Sequence, residues 1–479
     1  MRNTLIIAFL VIFTFAMSFP QIKRGELINT VKYLASPELQ GRMSGHSGYD
    51  KAVKYICEHL TESKIKPLNN EGFEQKFNIE YNEILAPQHF SIIQNGKAKS
   101  YEIGTDYVFR GFSGAGKVSG DVVFCGYGLS QPELGYDDYA GIDVSGKTVV
   151  CFKYNPRWTI KEKGFSNGNP REKAIVAAKH GASAILFISF PNDAEPQKPI
   201  GSLIAGAGEQ MINFPELHID LETAEDLFSG SSFSLKELQT LIDSLKAPKS
   251  ITLVNKIDLE VNAKYDKEHS VSNVAALIEG NDEKLKNEYI IIGAHLDHVG
   301  GQAGAIYFPG ANDNASGSSA LLAVAKELAL NKTKIQRSVI VVFFASEEPG
   351  LWGSKYFAEH LPVPKENVKV MINLDCVGYG DSIQVGGGKS SPKLWNIAKQ
   401  IDSLKYHRMI DETGNGGGAD AEYFFQKGIP TLYFVTKNSY KYLHRLEDKP
   451  ETLNQPLFEA LANLVYDVTV EIANEGAQK

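Results

Sequence analysis

Cysteine is scarce in this chain of 479 residues, and its four cysteines have no zinc-finger spacing. Cys57, Cys125, Cys151 and Cys376 are also too sparse for the disulfide framework of a small secreted domain. Cys125 and Cys151 both lie in strand-like stretches. A disulfide between them after export and two buried free thiols agree equally well with the sequence.

The chain also lacks an excess of basic residues. It has 49 Lys and Arg against 57 Asp and Glu, a formal net charge of -8, and no basic stripe. Because nucleic-acid-binding surfaces depend on clustered positive charge, we expect no nucleic-acid partner. The composition, 43% hydrophobic and 22% charged, is that of an ordinary globular protein, and the length allows two or three domains.

Outside the N-terminus, the sequence has no apolar stretch long enough to cross a membrane. Arg2 precedes an apolar run over residues 5–17, and Ala16 and Ser18 are small residues at the positions that a signal peptidase reads. We interpret residues 1–18 as a secretory signal peptide, because the run is short for a membrane anchor. We therefore expect a secreted or periplasmic mature protein without stable membrane insertion.

Three strongly apolar stretches in the second half of the chain end in metal-binding side chains. The stretch 289–294 is followed by His295, the stretch 339–345 by Glu347 and Glu348, and the stretch 370–374 by Asp375; runs of this kind predict buried central strands. Strands alternate with helices in this part, which predicts an α/β fold with a mainly parallel central sheet flanked by helices. Since ligands of open α/β sheets bind beyond the carboxyl ends of the strands, these side chains should meet at one edge.

The segment after the first of these strands offers further candidates. His295 and Asp297 share a face of an extended chain, so that Asp297 can fix a metal-binding imidazole. We interpret His298 as an ordinary loop histidine. Asp313 precedes a helix over residues 318–330, where helix caps use the same residue types. Its loop follows the His295 strand through a short glycine-rich crossover, which favours a position above the same sheet edge.

Glu347 and Glu348 could have two different roles in metal-assisted hydrolysis. Consecutive side chains point in different directions, so that one carboxylate can bind metal while the other acts on the attacking water. Asp375 ends a buried strand, where a charge needs a partner. His444 lies in a loop after the predicted strand 431–435, and only the neighbouring motifs favour a role for it.

Residues 86–255 have a different sequence pattern, which predicts short strands between turns and contains no cluster of metal-binding residue types. We predict that they form an inserted mixed α/β domain without chemistry of its own. The insert separates an N-terminal catalytic part, residues 19–85, from the metal-binding part, residues 256–479.

In order and spacing the motifs resemble the family of co-catalytic di-zinc aminopeptidases, which also contains glutamate-carboxypeptidase-like enzymes. The opening 34–42 and the insert are also similar to members of this family, the insert to a protease-associated domain. One departure is Ala419-Asp420-Ala421, where many members have Ser-Asp-His, at the local substrate pocket. The matching motifs are residues 293–297, 310–317, 347–354, 373–375 and 444–448.

The resemblance implies two zinc ions per chain. Asp313 would bridge them. His295 and Asp375 would complete one site, and Glu348 and His444 would complete the other.

The resemblance further implies that Asp297 orients His295 and that Glu347 is the general base. The expected function is that of an exported zinc exopeptidase acting on peptide N-termini, and the sequence indicates no oligomeric state. A site rich in carboxylates suits a free amine, and Arg445 is the only arginine close to the motifs that could bind a substrate carboxylate.

Two alternatives stay open. One is a di-zinc carboxypeptidase or dipeptidase, and the other is a non-catalytic, receptor-like protein on the same scaffold. A single-zinc glutaminyl cyclase is disfavoured because both sets of ligands are present.

Overall fold

The structure is a computed structural model that describes residues 22–160, 162–166, 168–204 and 206–476. The predicted signal peptide, residues 1–18, lies outside the described residues. Among the described helices, none has the length and hydropathy needed to cross a membrane.

The helices and strands agree with the main periodic patterns of the sequence. The α-helices of the described residues are α1 (Arg24–Leu34), α2 (Ser47–Glu62), α3 (Pro170–Lys179), α4 (Leu221–Phe228), α5 (Leu235–Leu245), α6 (Gly317–Leu330), α7 (Trp352–Glu359), α8 (Pro392–Lys405), α9 (Glu422–Gln426) and α10 (Gln455–Asn474). The strands longer than two residues are β1 (Glu74–Gln94), β2 (Lys97–Ser100), β3 (Tyr107–Phe109), β4 (Gly116–Cys125), β5 (Thr148–Phe152), β6 (Ala184–Ile188), β7 (Glu216–Ile219), β8 (Ser250–Ile278), β9 (Tyr289–His295), β10 (Ser338–Phe344), β11 (Val368–Leu374), β12 (Ile383–Gly386) and β13 (Thr431–Thr436).

One large sheet carries these strands. Eleven of them lie in the order β12-β13-β11-β9-β10-β8-β4-β5-β6-β7-β3, while β1 pairs with β8 and β2 pairs with β1. In the metal-binding part, β13, β11, β9 and β10 are parallel, whereas β12 and β8 are antiparallel to their neighbours. The predicted α/β fold with a mainly parallel sheet is therefore confirmed.

Helices cover both faces of the parallel strands. Ile290 and Ile292 of β9 pack in a core with α1, α2, α6 and α10, whereas Ile291 packs on the opposite face with Phe357 of α7 and Phe424 of α9. Alternate residues of a strand point to opposite faces, and both faces are buried here. This explains why the strand sequences are apolar throughout rather than alternating.

The predicted insert contributes the other half of the sheet. Strands β1 and β8 pair antiparallel over most of their length and run across the predicted domain boundaries at 85/86 and 255/256. Most of a second hydrophobic core lies in the insert, including Phe124, Leu186 and Leu238, but the core extends to Ile84 and Ile257 outside it. The exact boundaries stay a prediction.

All four cysteines are free thiols in the structure. Cys125 and Cys151 lie buried in the neighbouring strands β4 and β5, and burial raises the pKa of the Cys151 thiol to about 12. Of the two arrangements that the sequence left open, the structure thus has two buried free thiols and not a disulfide between Cys125 and Cys151.

Candidate metal centre

The predicted metal-binding side chains come together at the carboxyl edge of the parallel strands. His295 is the last residue of β9, and Asp375 directly follows β11. Glu348 follows β10 in a tight turn in which Ser346 has a left-handed backbone conformation (φ 56°). Because β9 pairs in parallel with both β10 and β11, the three strand ends lie side by side.

Asp313 stands between two groups of side chains. It lies in the wide turn Ala311–Ser316, where its backbone angles are not helical, and it is buried. Its Oδ1 is 3.3 Å from Nε2 of His295, and its Oδ2 is 3.1 Å from Nε2 of His444. One carboxylate thus presents one oxygen to each group.

Each group completes a set of metal-binding atoms. In the first group, Nε2 of His295 also lies 3.3 Å from Oδ1 of Asp375. In the second, Nε2 of His444 also lies 2.9 Å from Oε2 of Glu348. The two groups share Asp313, as a bridging ligand requires.

The chemistry of these donors fits two zinc ions. Imidazole nitrogens and carboxylate oxygens are common zinc ligands. Asp297, Asp313, Glu348 and Asp375 also bring four carboxylates into a mostly buried space. Burial of so many negative charges is costly unless cations compensate them. The site is therefore built for divalent cations rather than for an uncharged ligand.

The proton affinities of the site reflect this excess of carboxylates. Burial by itself lowers the pKa of His444, but Glu348 and Asp313 outweigh it and hold the pKa well above its usual range. The pKa of His295 is likewise raised, since Glu347, Asp313 and Asp375 outweigh the effect of burial. Burial raises the pKa of Glu348, but His444 and His298 lower it to about 2. Without a cation, protons therefore take the place of metal on both histidines.

Glu347 differs from its neighbour Glu348. It belongs to neither group of metal-binding atoms and is only half-buried. Burial and the nearby carboxylates of Glu348, Asp420 and Asp375 raise the pKa of Glu347 well above its usual range. A raised carboxylate pKa is the property that a general base or acid needs near neutral pH.

Asp297 connects the two strand ends. Its buried carboxylate accepts hydrogen bonds from the main-chain N–H groups of Glu347 (3.1 Å) and Glu348 (3.3 Å). Oδ1 of Asp297 also lies 3.7 Å from Nδ1 of His295, the nitrogen that faces away from Asp313. The nearer acceptor for this nitrogen is the main-chain carbonyl of Asp297 at 3.3 Å. The orientation of His295 by the Asp297 side chain therefore stays a prediction, and the bonds to the Glu347 turn are an addition that the sequence did not indicate.

The interpretation of His298 as an ordinary loop histidine is wrong. His298 is fully buried, and its Nδ1 lies 2.7 Å from Oε1 of Glu348, the oxygen that faces away from His444. In the sequence, only its position directly after the His295-Leu296-Asp297 motif could have indicated a role for His298. Its contact with Glu348, 50 residues later in the chain, exists only in the folded structure.

Arg42 is a second residue whose role the sequence did not indicate. Its guanidinium group is completely buried, and its N–H groups donate to five main-chain carbonyls, one of them at the end of α1. Burial lowers its pKa to about 10, although Asp313 and Asp448 oppose this effect. The accepting carbonyls belong to Leu34, Leu296, Pro309, Gly310 and Asp313.

Two further side chains support the proposed ligands, and a third, Asp420, is buried nearby. Asp448 accepts hydrogen bonds from the main-chain N–H groups of Asn312 (2.8 Å) and Asp313 (3.0 Å). The hydroxyl of Tyr433 donates to Oδ2 of Asp375 at 3.0 Å. Asp420, the central residue of the Ala-Asp-Ala segment, is buried, and burial raises its pKa to about 7.

A buried carboxylate shared by two groups of imidazole and carboxylate donors, at the carboxyl edge of a parallel sheet, defines the class: a metallohydrolase centre. Residues 273–469, which contain every side chain of this centre except Arg42, match peptidase family M28. This match confirms the resemblance to co-catalytic zinc aminopeptidases and the prediction of a zinc metallopeptidase.

Sequence relatives cover a larger part of the chain. A probable leucine aminopeptidase of Trichophyton verrucosum is 24% identical over 343 residues, which are 66% of this chain and 89% of that protein. A leucine aminopeptidase 2 of Trichophyton rubrum is 33% identical over 202 residues, which are 41% of this chain and 33% of that protein.

Solved structures resemble almost the whole molecule. An aminopeptidase from Aneurinibacillus sp. strain AM-1 superposes with a TM-score of 0.65 at 21% identity and covers 94% of each chain. A zinc aminopeptidase from Bacillus subtilis superposes with a TM-score of 0.66 at 18% identity, covering 96% of this chain and 98% of the other. At these identities the similarity establishes the fold of both parts of the chain.

Proposed function

We propose that this protein is an exported aminopeptidase that binds two zinc ions per chain and removes residues from the N-termini of peptides. The observation that carries the proposal is the shared carboxylate of Asp313, whose two oxygens face His295 and His444 separately. The leucine aminopeptidases among its relatives favour the amino end of the substrate.

The proposed ligands divide between the two ions. His295, Asp313 and Asp375 would hold one ion, and Asp313, Glu348 and His444 would hold the other. His298 belongs to the same group of donor atoms as this second set. When bound, such a pair of zinc ions polarises the scissile carbonyl, lowers the pKa of the attacking water and stabilises the oxyanion.

Glu347 would move the protons. Its carboxylate accepts a proton from the attacking water and later donates it to the amine that leaves. The raised pKa of Glu347 supports this role, because the group must both accept and release a proton near neutral pH. Asp297 holds the main chain of Glu347 and faces His295, so that base and ligand keep their relative positions.

A free α-amino group on the substrate would suit the excess of carboxylates around the site. The alternative of a carboxypeptidase needs a cation for the substrate carboxylate, and Arg445 is the nearest candidate by sequence. Its guanidinium group is already paired with Glu447, with Nη2 2.9 Å from Oε1. This pairing disfavours the carboxypeptidase.

Metal analysis tests the central part of the proposal. The purified mature protein, reconstituted with zinc and freed of excess metal, should contain two zinc equivalents per chain. A reproducible content of one equivalent or none would contradict the two-zinc proposal. Two zinc equivalents per chain without any peptidase activity would favour the receptor-like alternative.

A pair of matched substrates tests the specificity. An aminoacyl chromogenic substrate with a free α-amino group should be cleaved, and its N-acetylated counterpart should not. Both reactions are to be run with and without a chelator. Equal cleavage of the two substrates, or release of residues from the C-terminus, would contradict the aminopeptidase while retaining the metallopeptidase.

Export and domain organisation belong to the same proposal. The N-terminal segment supports cleavage after Ser18, so that the secreted form would begin at Phe19. N-terminal sequencing that finds Met1 on the extracellular protein would contradict this. The second hydrophobic core, most of whose residues lie in 86–255, supports an inserted domain of the protease-associated type between the parts 19–85 and 256–479.

A further inference from the structure

The insert contacts the metal centre at Gly201. The main-chain N–H of Gly201 donates to the carbonyl of His444 at 3.0 Å. In return, Nδ1 of His444 lies 3.0 Å from the carbonyl oxygen of Gly201. Because Nε2 of His444 faces Asp313 and Glu348, the Nδ1 nitrogen must carry the proton when Nε2 binds a cation. The Nδ1–H group then donates to Gly201.

We infer that the inserted domain is a working part of the metal centre, and that the main chain of Gly201 is the positioning partner of His444. The inference rests on the proposed two-zinc function. A histidine that binds metal usually donates its second N–H to a carbonyl or carboxylate, which fixes its tautomer and ring orientation. Here that acceptor comes from the insert, more than 240 residues away in sequence.

Only glycine fits at position 201. A Cβ atom there would lie 2.7 Å from Cγ2 of Val299 and 2.9 Å from Cε2 of Phe308. Both side chains are buried and belong to the metal-binding part of the chain. A larger residue would therefore push the segment away from His444, and the close approach of the two main chains depends on the missing side chain.

The segment around Gly201 is fixed from both sides. Within the insert, the carbonyl of Ser202 accepts from the N–H of Gly111 at 2.9 Å, and its Oγ accepts from Arg110 at 2.8 Å. Leu203 packs in a small core that spans the two parts of the chain and includes Val299 and Phe308. The carbonyl of Gly201 is therefore a pre-positioned acceptor.

A second contact joins the insert to the metal-binding part of the chain. The side-chain amide of Gln302, in the metal-binding part, accepts from the N–H of Phe109 at 2.9 Å and donates to its carbonyl at 2.7 Å. His444 itself has a left-handed backbone conformation (φ 56°), which residues other than glycine seldom adopt. The reciprocal bonds to Gly201 stabilise this conformation.

The test compares two glycine-to-alanine variants of the insert in the full mature chain. Gly201→Ala introduces the close contacts, whereas Gly164→Ala is the matched control, because nothing lies within 4 Å of a Cβ at position 164. Zinc affinity is measured by competition with a chromophoric chelator. In Gly201→Ala one of the two sites should bind zinc about 10–100-fold more weakly, and Gly164→Ala should bind like the wild type.

A spectroscopic readout separates positioning from general packing. In the cobalt-substituted wild type, the exchangeable N–H proton of His444 should give a paramagnetically shifted, slowly exchanging proton resonance. In Gly201→Ala this resonance should exchange faster or shift, while the other ligand resonances stay in place. Unchanged zinc affinity and an unchanged resonance in the folded variant would overturn the inference.

If Gly201→Ala does not fold, the variant Leu203→Ala tests the inference instead. It removes packing beneath the segment without adding atoms, and it should weaken the same zinc site by a smaller factor. Wild-type affinity at both sites in this variant would overturn the inference. Failure of the proposed function is distinguishable, because the wild-type chain itself would then bind fewer than two zinc ions.

Discussion

Asp297 accepts a hydrogen bond from the main-chain N–H of Glu347 at 3.1 Å, although the two residues follow different strands of the sheet. The carboxylate that faces the imidazole of His295, a proposed metal ligand, thus also positions the proposed general base. An arrangement of this kind couples the metal ligands to the proton-transfer group, because displacement of one loop moves both.

Replacement of Asp297 should therefore impair metal binding and catalysis together. Asp297→Ala removes the acceptor for Glu347 and Glu348, and we expect zinc affinity to fall by about 10–100-fold, with a loss of kcat/KM. Asp258→Ala, which removes an exposed partner of His89, is the control and should change neither. A variant of Asp297 with wild-type affinity and activity would contradict the coupling.

The two adjacent glutamates should respond differently to substitution. Glu347→Gln retains the shape of the side chain but cannot accept a proton, so turnover should fall by about 10²–10⁴-fold while both zinc ions stay bound. Glu348→Ala should lose zinc from one site. Zinc content and kcat are the measurements, and an active Glu347→Gln variant would show that the assignment within the pair is wrong.

Zinc binding should release protons. The carboxylates hold the pKa of His295 and His444 well above the usual value when no cation is bound, so both imidazoles carry an extra proton near neutral pH. Zinc must displace these protons, and its affinity should therefore decrease as the pH is lowered.

Titration calorimetry in buffers of different ionisation enthalpy measures this release directly. We expect up to two protons per chain at pH 7, and about one fewer in His444→Ala. Zinc binding whose heat does not depend on the buffer would contradict the raised pKa values.

Arg42 should be essential for stability rather than for chemistry. In Arg42→Met the buried carbonyls lose their donors and the carboxylates of the site lose a neighbouring cation, which should cost about 3 kcal/mol or more. Arg24→Met is the matched control, because Arg24 forms an exposed ion pair with Glu459. Thermal unfolding followed by circular dichroism compares the two, and equal midpoints would contradict this role.

The apolar runs and the residues that end them were sufficient to predict the parallel strands and the candidates His295, Glu348 and Asp375. Strands buried on both faces require apolar side chains throughout, and the polar residues at their ends stand out against that background. The spacing of the motifs likewise indicated Asp313 and His444, through the resemblance to a known family. These signals are local, because each depends on a short stretch of chain.

The contacts of His298, Arg42 and Gly201 follow only from the tertiary structure. A buried histidine beside Glu348, an arginine that donates to five carbonyls and a glycine bonded to His444 join segments that lie far apart along the chain. Their residue types are also common in loops, where burial and partners decide the role. Neither the burial of a side chain nor its distant partner leaves a periodic pattern in the sequence, since both arise only when distant segments of the chain pack together.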